Sequence, residues 1–234
     1  MFGRWIERVR FLQLAVFVVV LILATAVFPH GLLMRAFLTL VFLNTLFVTL
    51  SAVGHGPKVR GACLIVWVIA TLCMAWGEFH VGERFDRMVA FAGQSAYLFL
   101  IMTGVVATFR YVITTRRPSL DTIFAAVVAY LLIGVGFTLL YTMLLGLDAR
   151  SFNVADRPGF DERAALPSPL LYFSFVTIAT LGYGDITPQL PLPQILAALE
   201  AVIGQFYIAI VIAWLVSRYA MEPNPDSKRA PAQD

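Results

Sequence analysis

Long apolar segments alternate with short polar segments along the chain. Each of six apolar segments approaches or exceeds the roughly 20 residues that a helix needs to cross about 30 Å of hydrocarbon. The pattern predicts six transmembrane helices, at approximately Phe11–Phe28, Leu32–Val53, Gly61–Gly77, Met88–Tyr111, Asp121–Leu147 and Leu192–Arg218. The predicted fold is therefore an all-α membrane protein.

A seventh apolar segment, Pro169–Ala179, lies between the fifth and sixth predicted spans and is too short to cross a bilayer. Ser168 is a good helix N-cap and Pro169 suits the first helical position, so we expect a helix over Leu170–Ala179. A glycine-rich loop follows at once. Irregular backbone at membrane depth is tolerated only where protein or a water-filled cavity surrounds it. The segment is therefore interpreted as a re-entrant helix and loop that line a pore.

Lysine and arginine predict the orientation, because short cytoplasmic loops carry an excess of them. If there are six spans, both termini and two of the loops share one side. The basic residues of that side are Arg4, Arg8, Arg10, Lys58, Arg60, Arg110, Arg116, Arg117, Arg218, Lys228 and Arg229. We therefore expect a multi-pass protein of the cell membrane with both termini in the cytoplasm. A cleaved signal peptide ending near Ala24–Ala26 is an alternative for the first span, and it leaves the later topology unchanged.

Composition agrees with a membrane protein and argues against several other functions. Hydrophobic residues make up 60% of the chain and charged residues 13%, against about half and a quarter in soluble domains. The net charge of +3 comes without a basic stripe, so nucleic acid is not an expected partner. Cys63 and Cys73 lie in one apolar segment and predict neither a disulfide framework nor a metal site.

The loop TLGYGD, Thr180–Asp185, carries the most distinctive chemistry. Glycine adopts left-handed conformations that other residues avoid, so glycines at alternate positions allow successive carbonyls to turn to one side. Four such loops around an axis would stack rings of oxygen that replace the water shell of a potassium ion. The Thr180 hydroxyl would add the innermost ring, and Tyr183 would point away from the axis as a brace. A plain turn is the alternative, but the position between a re-entrant helix and a span argues against it.

With its approach Phe173–Thr177 and its exit Ile186–Pro188, TLGYGD resembles the signature of the tetrameric potassium channels. The resemblance covers about Asp121–Arg218. It implies a potassium-selective channel formed by a homotetramer, with no cofactor other than potassium ions in the selectivity filter. The implied ion-binding residues are Thr180, Leu181, Gly182, Tyr183 and Gly184, and the implied filter support is Val176, Thr177 and Asp185. We call Thr180–Asp185 the filter loop.

Some positions depart from the usual pattern of that family. Leu181 replaces the commoner valine, and Ala179 replaces a frequent threonine. Val176 stands where some relatives have a glutamate, and Tyr172 and Phe173 stand where many have a tryptophan pair. The support behind the filter loop is therefore expected to be more apolar.

The sixth predicted span contains the gating candidates. Gly204 has the spacing from the filter loop at which the family has a helix hinge, and close helix packing is an equal alternative. Gln205 follows it and is expected to face the cavity or a neighbouring chain. Glu200 is a carboxylate inside a span, which suggests a function, although a structural bond to the re-entrant helix explains it equally well. An apolar ring that closes the pore is expected from Ile208, Ile212 and Leu215.

The layout of six spans resembles that of voltage-gated channels. It divides the chain into a four-helix domain (1–113), a pore domain (114–219) and a short disordered cytoplasmic tail (220–234). A voltage sensor needs several charges inside the field, each worth about 2.3 kcal/mol per 100 mV. The interior of the fourth predicted span, Ala90–Phe109, contains no arginine or lysine. Little or no voltage dependence is therefore expected.

Two alternatives to a potassium channel stay open. A non-conducting or regulatory subunit would assemble with another channel chain, although the filter loop is intact. A membrane-embedded enzyme would need clustered nucleophiles, acids or metal ligands in its spans, and Glu200 stands nearly alone there. We therefore expect no enzyme activity, and the expected partners are further copies of the chain, membrane lipids and potassium ions.

Overall fold

A computed structural model of the chain describes residues 10–27, 43, 57–76, 83–115, 119–154 and 168–220. Within these residues every regular element is a helix, which confirms the predicted helical fold. In chain order the elements are α1 (Arg10–Val27), α2 (Pro57–Trp76), α3 (Glu83–Thr114), α4 (Leu120–Leu147), a 3-10 turn (Ala149–Ser151), α5 (Ser168–Ile178), α6 (Pro191–Phe206), a π-helix (Tyr207–Ile212) and α7 (Ala213–Ala220). The π-helix joins α6 to α7 without a break, and we call Pro191–Ala220 the last span.

Three of the described helices are long and apolar enough to cross a membrane, and they coincide with the fourth, fifth and sixth predicted spans. They are Met88–Thr114, Leu120–Leu147 and Pro191–Arg218. The apolar stretches of α1 and α2 are shorter, at Phe11–Ala24 and Gly61–Cys73. The second predicted span, Leu32–Val53, lies outside the described residues except at position 43, and so does the predicted tail beyond Ala220. The number of six spans therefore stays a prediction.

The central helix of the described structure is α4. Its start is set by a capping box, in which the Ser119 amide donates to the Thr122 hydroxyl at 3.1 Å. The helix is apolar on all sides, and most residues between Thr122 and Leu145 are buried. An apolar surface all round favours a helix with neighbours on several sides. Helices α1, α3 and α5 pack against it.

One buried cluster connects the first helix with the later ones. It includes Phe11 and Leu14 of α1 and Val128 and Leu132 of α4. The Phe11 amide also donates to Asp121 Oδ1 at 2.9 Å, which joins the start of α1 to the first turn of α4. Within the single chain, α1 therefore lies against the region predicted to form the pore.

The short helix α5 is enclosed by α4 and α6. It begins at Ser168 and ends at Ile178, so the predicted bounds Leu170–Ala179 are late by two residues at the start and by one at the end. Pro169 lies in the first turn, where a helix needs no amide hydrogen. On the α4 side, a Cβ added to Gly134 would lie 3.1 Å from the Phe175 ring. The absence of a side chain at position 134 thus brings α5 close to α4.

Candidate functional site

The filter loop is anchored to the carboxyl end of α5 by its own backbone. The Thr180 amide donates to the Thr177 carbonyl at 2.8 Å. The Leu181 and Gly182 amides both donate to the Val176 carbonyl, at 2.9 and 3.3 Å. The last carbonyls of a helix have no partner within it, so the amides of the filter loop supply the hydrogen bonds that the end of α5 lacks. The two predicted support residues of α5 therefore act here through their main-chain carbonyls.

The backbone of the filter loop alternates in handedness. Thr180, Gly182 and Gly184 have φ angles of +55°, +55° and +76°, and no other described residue has a positive φ. Glycine adopts such angles freely, whereas a β-branched residue such as threonine rarely does. A chain that alternates between left- and right-handed conformations turns successive carbonyls to one side. The two glycine positions follow from the sequence pattern, and the left-handed Thr180 is an addition made by the structure.

The filter loop is largely exposed among the described residues of its own chain. Leu181 is 55% exposed and Tyr183 is 65% exposed. A Cβ built on Gly182 or Gly184 would meet no atom within 4 Å. An exposed apolar side chain at such a position is suited to contact with another molecule.

The Tyr183 side chain has an aromatic partner in α5. Its ring stacks on the Tyr172 ring of α5, with centroids 6.4 Å apart and planes 4° from parallel. Offset parallel stacking is a favourable arrangement of two aromatic rings. The partner of Tyr183 is thus one of the residues at which the sequence departs from the family's tryptophan pair, and its orientation away from a pore axis stays a prediction.

The exit of the filter loop is fastened to the segment that follows α4. The Thr187 amide donates to Asn153 Oδ1 at 2.6 Å, and the Asn153 amide donates back to the Thr187 carbonyl at 3.3 Å. The Gln189 amide donates to the Ser151 carbonyl at 2.9 Å. The Ser151 hydroxyl in turn donates to the Leu144 carbonyl of α4 at 3.1 Å. The exit of the filter loop is therefore tied to α4.

The same segment carries an ion pair at its surface. Arg150 donates to Asp148 from its backbone amide at 2.9 Å and from its guanidinium at 2.9 and 3.1 Å. These hydrogen bonds hold the pKa of the Asp148 carboxyl below its usual range. Asp148 also caps the 3-10 turn, so the pair orders the start of the segment that follows α4.

Glu200 is fully buried where α4, α5 and α6 meet. The Tyr141 hydroxyl donates to Glu200 Oε2 at 2.6 Å. The Ser174 hydroxyl lies 2.5 Å from Glu200 Oε1 and 2.7 Å from the Gly134 carbonyl oxygen. A hydroxyl has one hydrogen and cannot fully serve two acceptors. A proton on Glu200 Oε1 resolves the conflict, because the acid then donates to Ser174 and Ser174 donates to Gly134. The geometry therefore favours a neutral, structural Glu200 that joins three helices.

Gly204 lies directly against the carboxyl end of α5. A Cβ added to Gly204 would overlap the Ile178 carbonyl oxygen and lie 2.8 Å from Ile178 Cγ1. The Tyr130 hydroxyl of α4 donates to the same carbonyl at 3.2 Å. Close packing is thus a sufficient reason for glycine at this position, and the structure favours it over the hinge as the explanation.

The last span changes its winding just after this contact. Tyr207–Ile212 forms a π-helix, and the Tyr207 hydroxyl donates to the Ala126 carbonyl of α4 at 2.6 Å. Single π-helical turns within α-helices occur frequently at functional sites. Ile208 is 49% exposed, whereas the side chains of Ile212 and Leu215 lie outside the described residues. The apolar gate therefore stays a prediction.

Several contacts at this site have no clear signal in the sequence. The bonds of Tyr141 and Ser174 to Glu200 depend on the packing of three helices, and both residue types are ordinary in apolar segments. Asn153 lies in a polar loop, and nothing in the sequence indicates that it bonds to Thr187. Gln205 is a polar residue in an apolar span, which marks it for attention, but only the structure shows that its amide reaches Thr180.

Known proteins are similar to part of the chain. The family described as "Ion channel" matches residues 165–220, which contain α5, the filter loop and the last span. Protein LctB of Bacillus caldotenax is 31% identical over 98 residues, which are 42% of this chain and 72% of that protein.

Two plant proteins match a similar share of this chain. Two-pore potassium channel 5 of Arabidopsis thaliana is 32% identical over 81 residues, or 35% of this chain and 19% of the plant protein. Two pore potassium channel c of Oryza sativa subsp. japonica is 34% identical over 94 residues, which are 40% of this chain and 18% of the rice protein. No solved structure matches the chain. The family match points to a channel rather than to an enzyme.

Proposed function

This chain belongs to the potassium channel family, and from that premise we propose that it is a potassium-selective channel through which ions move passively. The observation that carries the proposal is the alternating left-handed backbone at positions 180, 182 and 184. Such a backbone offers the carbonyl oxygens of Thr180, Leu181, Gly182 and Tyr183 to one side. Rings of these oxygens would replace the hydration shell of potassium.

The channel would be a homotetramer, because each chain supplies one filter loop with an uncovered face. The last span supports assembly as well, since only 24% of its most apolar stretch is buried within the single chain. Lipids and neighbouring copies would cover its exposed apolar residues, which include Leu192, Ile195, Leu199, Val202, Ile203 and Phe206. A monomer in a mild detergent, found by size-exclusion chromatography with light scattering, would contradict this assembly.

The first four predicted spans would contribute little voltage dependence. The interior of α3 from Ala90 to Phe109 carries no basic residue, so it has no charge to move through the field. The distribution of lysine and arginine supports an orientation with both termini in the cytoplasm and the filter loop reached from outside.

Flux through the purified full chain in liposomes tests the proposal. Potassium and sodium efflux are measured separately over a range of imposed voltages, with protein-free liposomes as the control. We expect potassium flux without sodium flux and with a shallow dependence on voltage. Equal sodium flux would contradict selectivity, and a steep voltage response would contradict the inert four-helix domain. Folded tetramers that carry no flux would favour the regulatory-subunit alternative.

A further inference from the structure

Gln205 makes the direct contact between the last span and the inner end of the filter loop. Its side-chain Nε2 donates to Thr180 Oγ1 at 2.8 Å. Both residues are exposed in the single chain, so the bond lies at a surface and not in the buried core. Gln205 follows Gly204, whose missing side chain lets the last span touch the Ile178 carbonyl. The close approach at Gly204 therefore brings the amide of Gln205 within reach of Thr180.

Thr180 needs support, because its conformation is unfavourable. Its φ of +55° is rare for a β-branched residue, because left-handed backbone brings the Cβ of an L-residue too close to a carbonyl oxygen. The Thr180 amide is held by the Thr177 carbonyl at 2.8 Å. The bond from Gln205 holds the side chain of the same residue. Backbone and hydroxyl are thus restrained by two different helices.

The hydrogen-bonding capacity of the Thr180 hydroxyl determines the effect of the bond from Gln205. A threonine hydroxyl has one hydrogen and two lone pairs. The amide of Gln205 occupies one lone pair, so the position of the oxygen is restrained and the second lone pair is left for a cation. Without that bond, the β-branched side chain would be free to turn its oxygen away.

We propose that Gln205 is a positioning residue for the innermost cation site: its amide holds the Thr180 hydroxyl so that an oxygen lone pair faces the ions. This inference rests on the proposed function, since it assumes that the filter loop binds cations. Gln205 would then set how tightly the innermost site holds a cation that arrives from the cytoplasmic side. The amide oxygen of Gln205 has no hydrogen-bond partner among the described residues, so the contact with Thr180 is its main polar restraint.

Barium block is the probe, because Ba²⁺ carries twice the charge of K⁺ and therefore depends more strongly on the oxygens around it. Barium is added to the side of a planar bilayer that corresponds to the cytoplasm, and the half-blocking concentration is measured. Loss of one hydrogen bond per chain is expected to weaken block by roughly tenfold in Gln205→Leu. Gln205→Asn keeps the amide but is one methylene too short, so it should behave like the leucine variant. Gln194→Leu, which removes an amide bonded to the Pro188 carbonyl at 3.2 Å, is the matched control and should leave block unchanged.

A double-mutant cycle with Thr180 separates positioning from a general effect on the fold. In a Thr180→Ser background the hydroxyl is kept, so Gln205→Leu should again weaken block. In a Thr180→Val background the hydroxyl is gone, so Gln205→Leu should add less than a roughly twofold change. If Thr180→Val conducts too little, the same cycle is measured as the shift in melting temperature of the purified tetramer with added barium.

The outcomes distinguish this inference from the proposed function. Wild-type protein without potassium-selective, barium-sensitive flux would overturn the proposed function itself. Wild-type protein with such flux, but with equal block in Gln205→Leu, would overturn only the positioning role. The same loss of block with and without the Thr180 hydroxyl, or a normal Gln205→Asn, would also overturn it.

Discussion

The two sides of the segment formed by α5 and the filter loop are held in different ways. The rear side is completed within one chain, where Glu200, Tyr141 and Ser174 are buried and bonded to one another. The front side, from Thr180 to Gly184, is exposed in the single chain. The difference indicates that one chain is sufficient to shape the filter loop, and in the proposed tetramer the neighbouring chains would cover the side that one chain leaves exposed. Changes at the front should therefore alter ion flux, and changes at the rear should alter stability.

The largest effect on flux is expected at the front, from Gly182→Ala. The new methyl group meets no atom, but φ at this position is +55°, which costs alanine roughly 1–2 kcal/mol in each chain. We expect the carbonyls to turn away and potassium-selective flux in liposomes to be lost, with tetramers still folded. Gly146→Ala is the control, because its Cβ also meets no atom and its φ is not positive. An unchanged ratio of potassium to sodium flux in Gly182→Ala would break the comparison.

The largest effect on stability is expected at the rear, from Gly204→Ala. The added Cβ would overlap the Ile178 carbonyl oxygen, which belongs to backbone and cannot move freely. Overpacking of this kind costs about 3 kcal/mol. The measurement is the free energy of unfolding in detergent, with circular dichroism as the signal. Gly136→Ala is the control, since its Cβ would lie at an ordinary 3.5 Å from Ile101. Equal stability of the two variants would show that the packing at Gly204 is looser than described.

A pair of substitutions tests whether the buried Glu200 carboxyl on the rear side carries a proton. Gln keeps an oxygen acceptor for the Tyr141 hydroxyl and has two N–H donors, one of which can serve Ser174 as a neutral acid would, so Glu200→Gln should lower the free energy of unfolding by only about 1 kcal/mol. Glu200→Leu leaves the Tyr141 hydroxyl without its partner and should cost about 2 kcal/mol or more. Equal losses in both variants would argue for an ionised carboxylate. Neither variant should change the ratio of potassium to sodium flux in folded protein.

The smallest effect is expected at the outer end, where the exit of the filter loop meets Asn153. Asn153→Ala removes the acceptor for the Thr187 amide and should cost about 1 kcal/mol or less, because the bond is exposed. Asn153→Asp keeps an acceptor at the same place and should behave like wild type. Thermal unfolding of the two variants, compared at one pH, checks the difference. Loss of selective flux in Asn153→Ala, with normal flux in Asn153→Asp, would mean that the conformation of the front side depends on this bond, which the comparison does not predict.

The elements predicted most closely are those that the local pattern of residues decides. Helices α3, α4 and the last span agree with the fourth, fifth and sixth predicted spans to within a few residues. The left-handed positions 182 and 184 follow from glycine itself. A structural bond from Glu200 to the re-entrant helix was one of the two predicted explanations, but its partner Ser174, the Tyr141 bond, the bonds between Asn153 and Thr187 and the left-handed Thr180 were not predictable. Each of them joins residues that are distant in the chain, or depends on backbone that other elements hold in place.

By itself, the sequence determined that the chain is helical and apolar, and that a glycine-spaced loop follows a short helix. Hydropathy and glycine are local properties, and each acts through the residue that carries it. Only the tertiary structure decided why position 204 is glycine, which hydroxyls bond to Glu200, and that Gln205 holds Thr180. These contacts arise where α4, α5 and the last span meet, and their distances depend on how the helices pack.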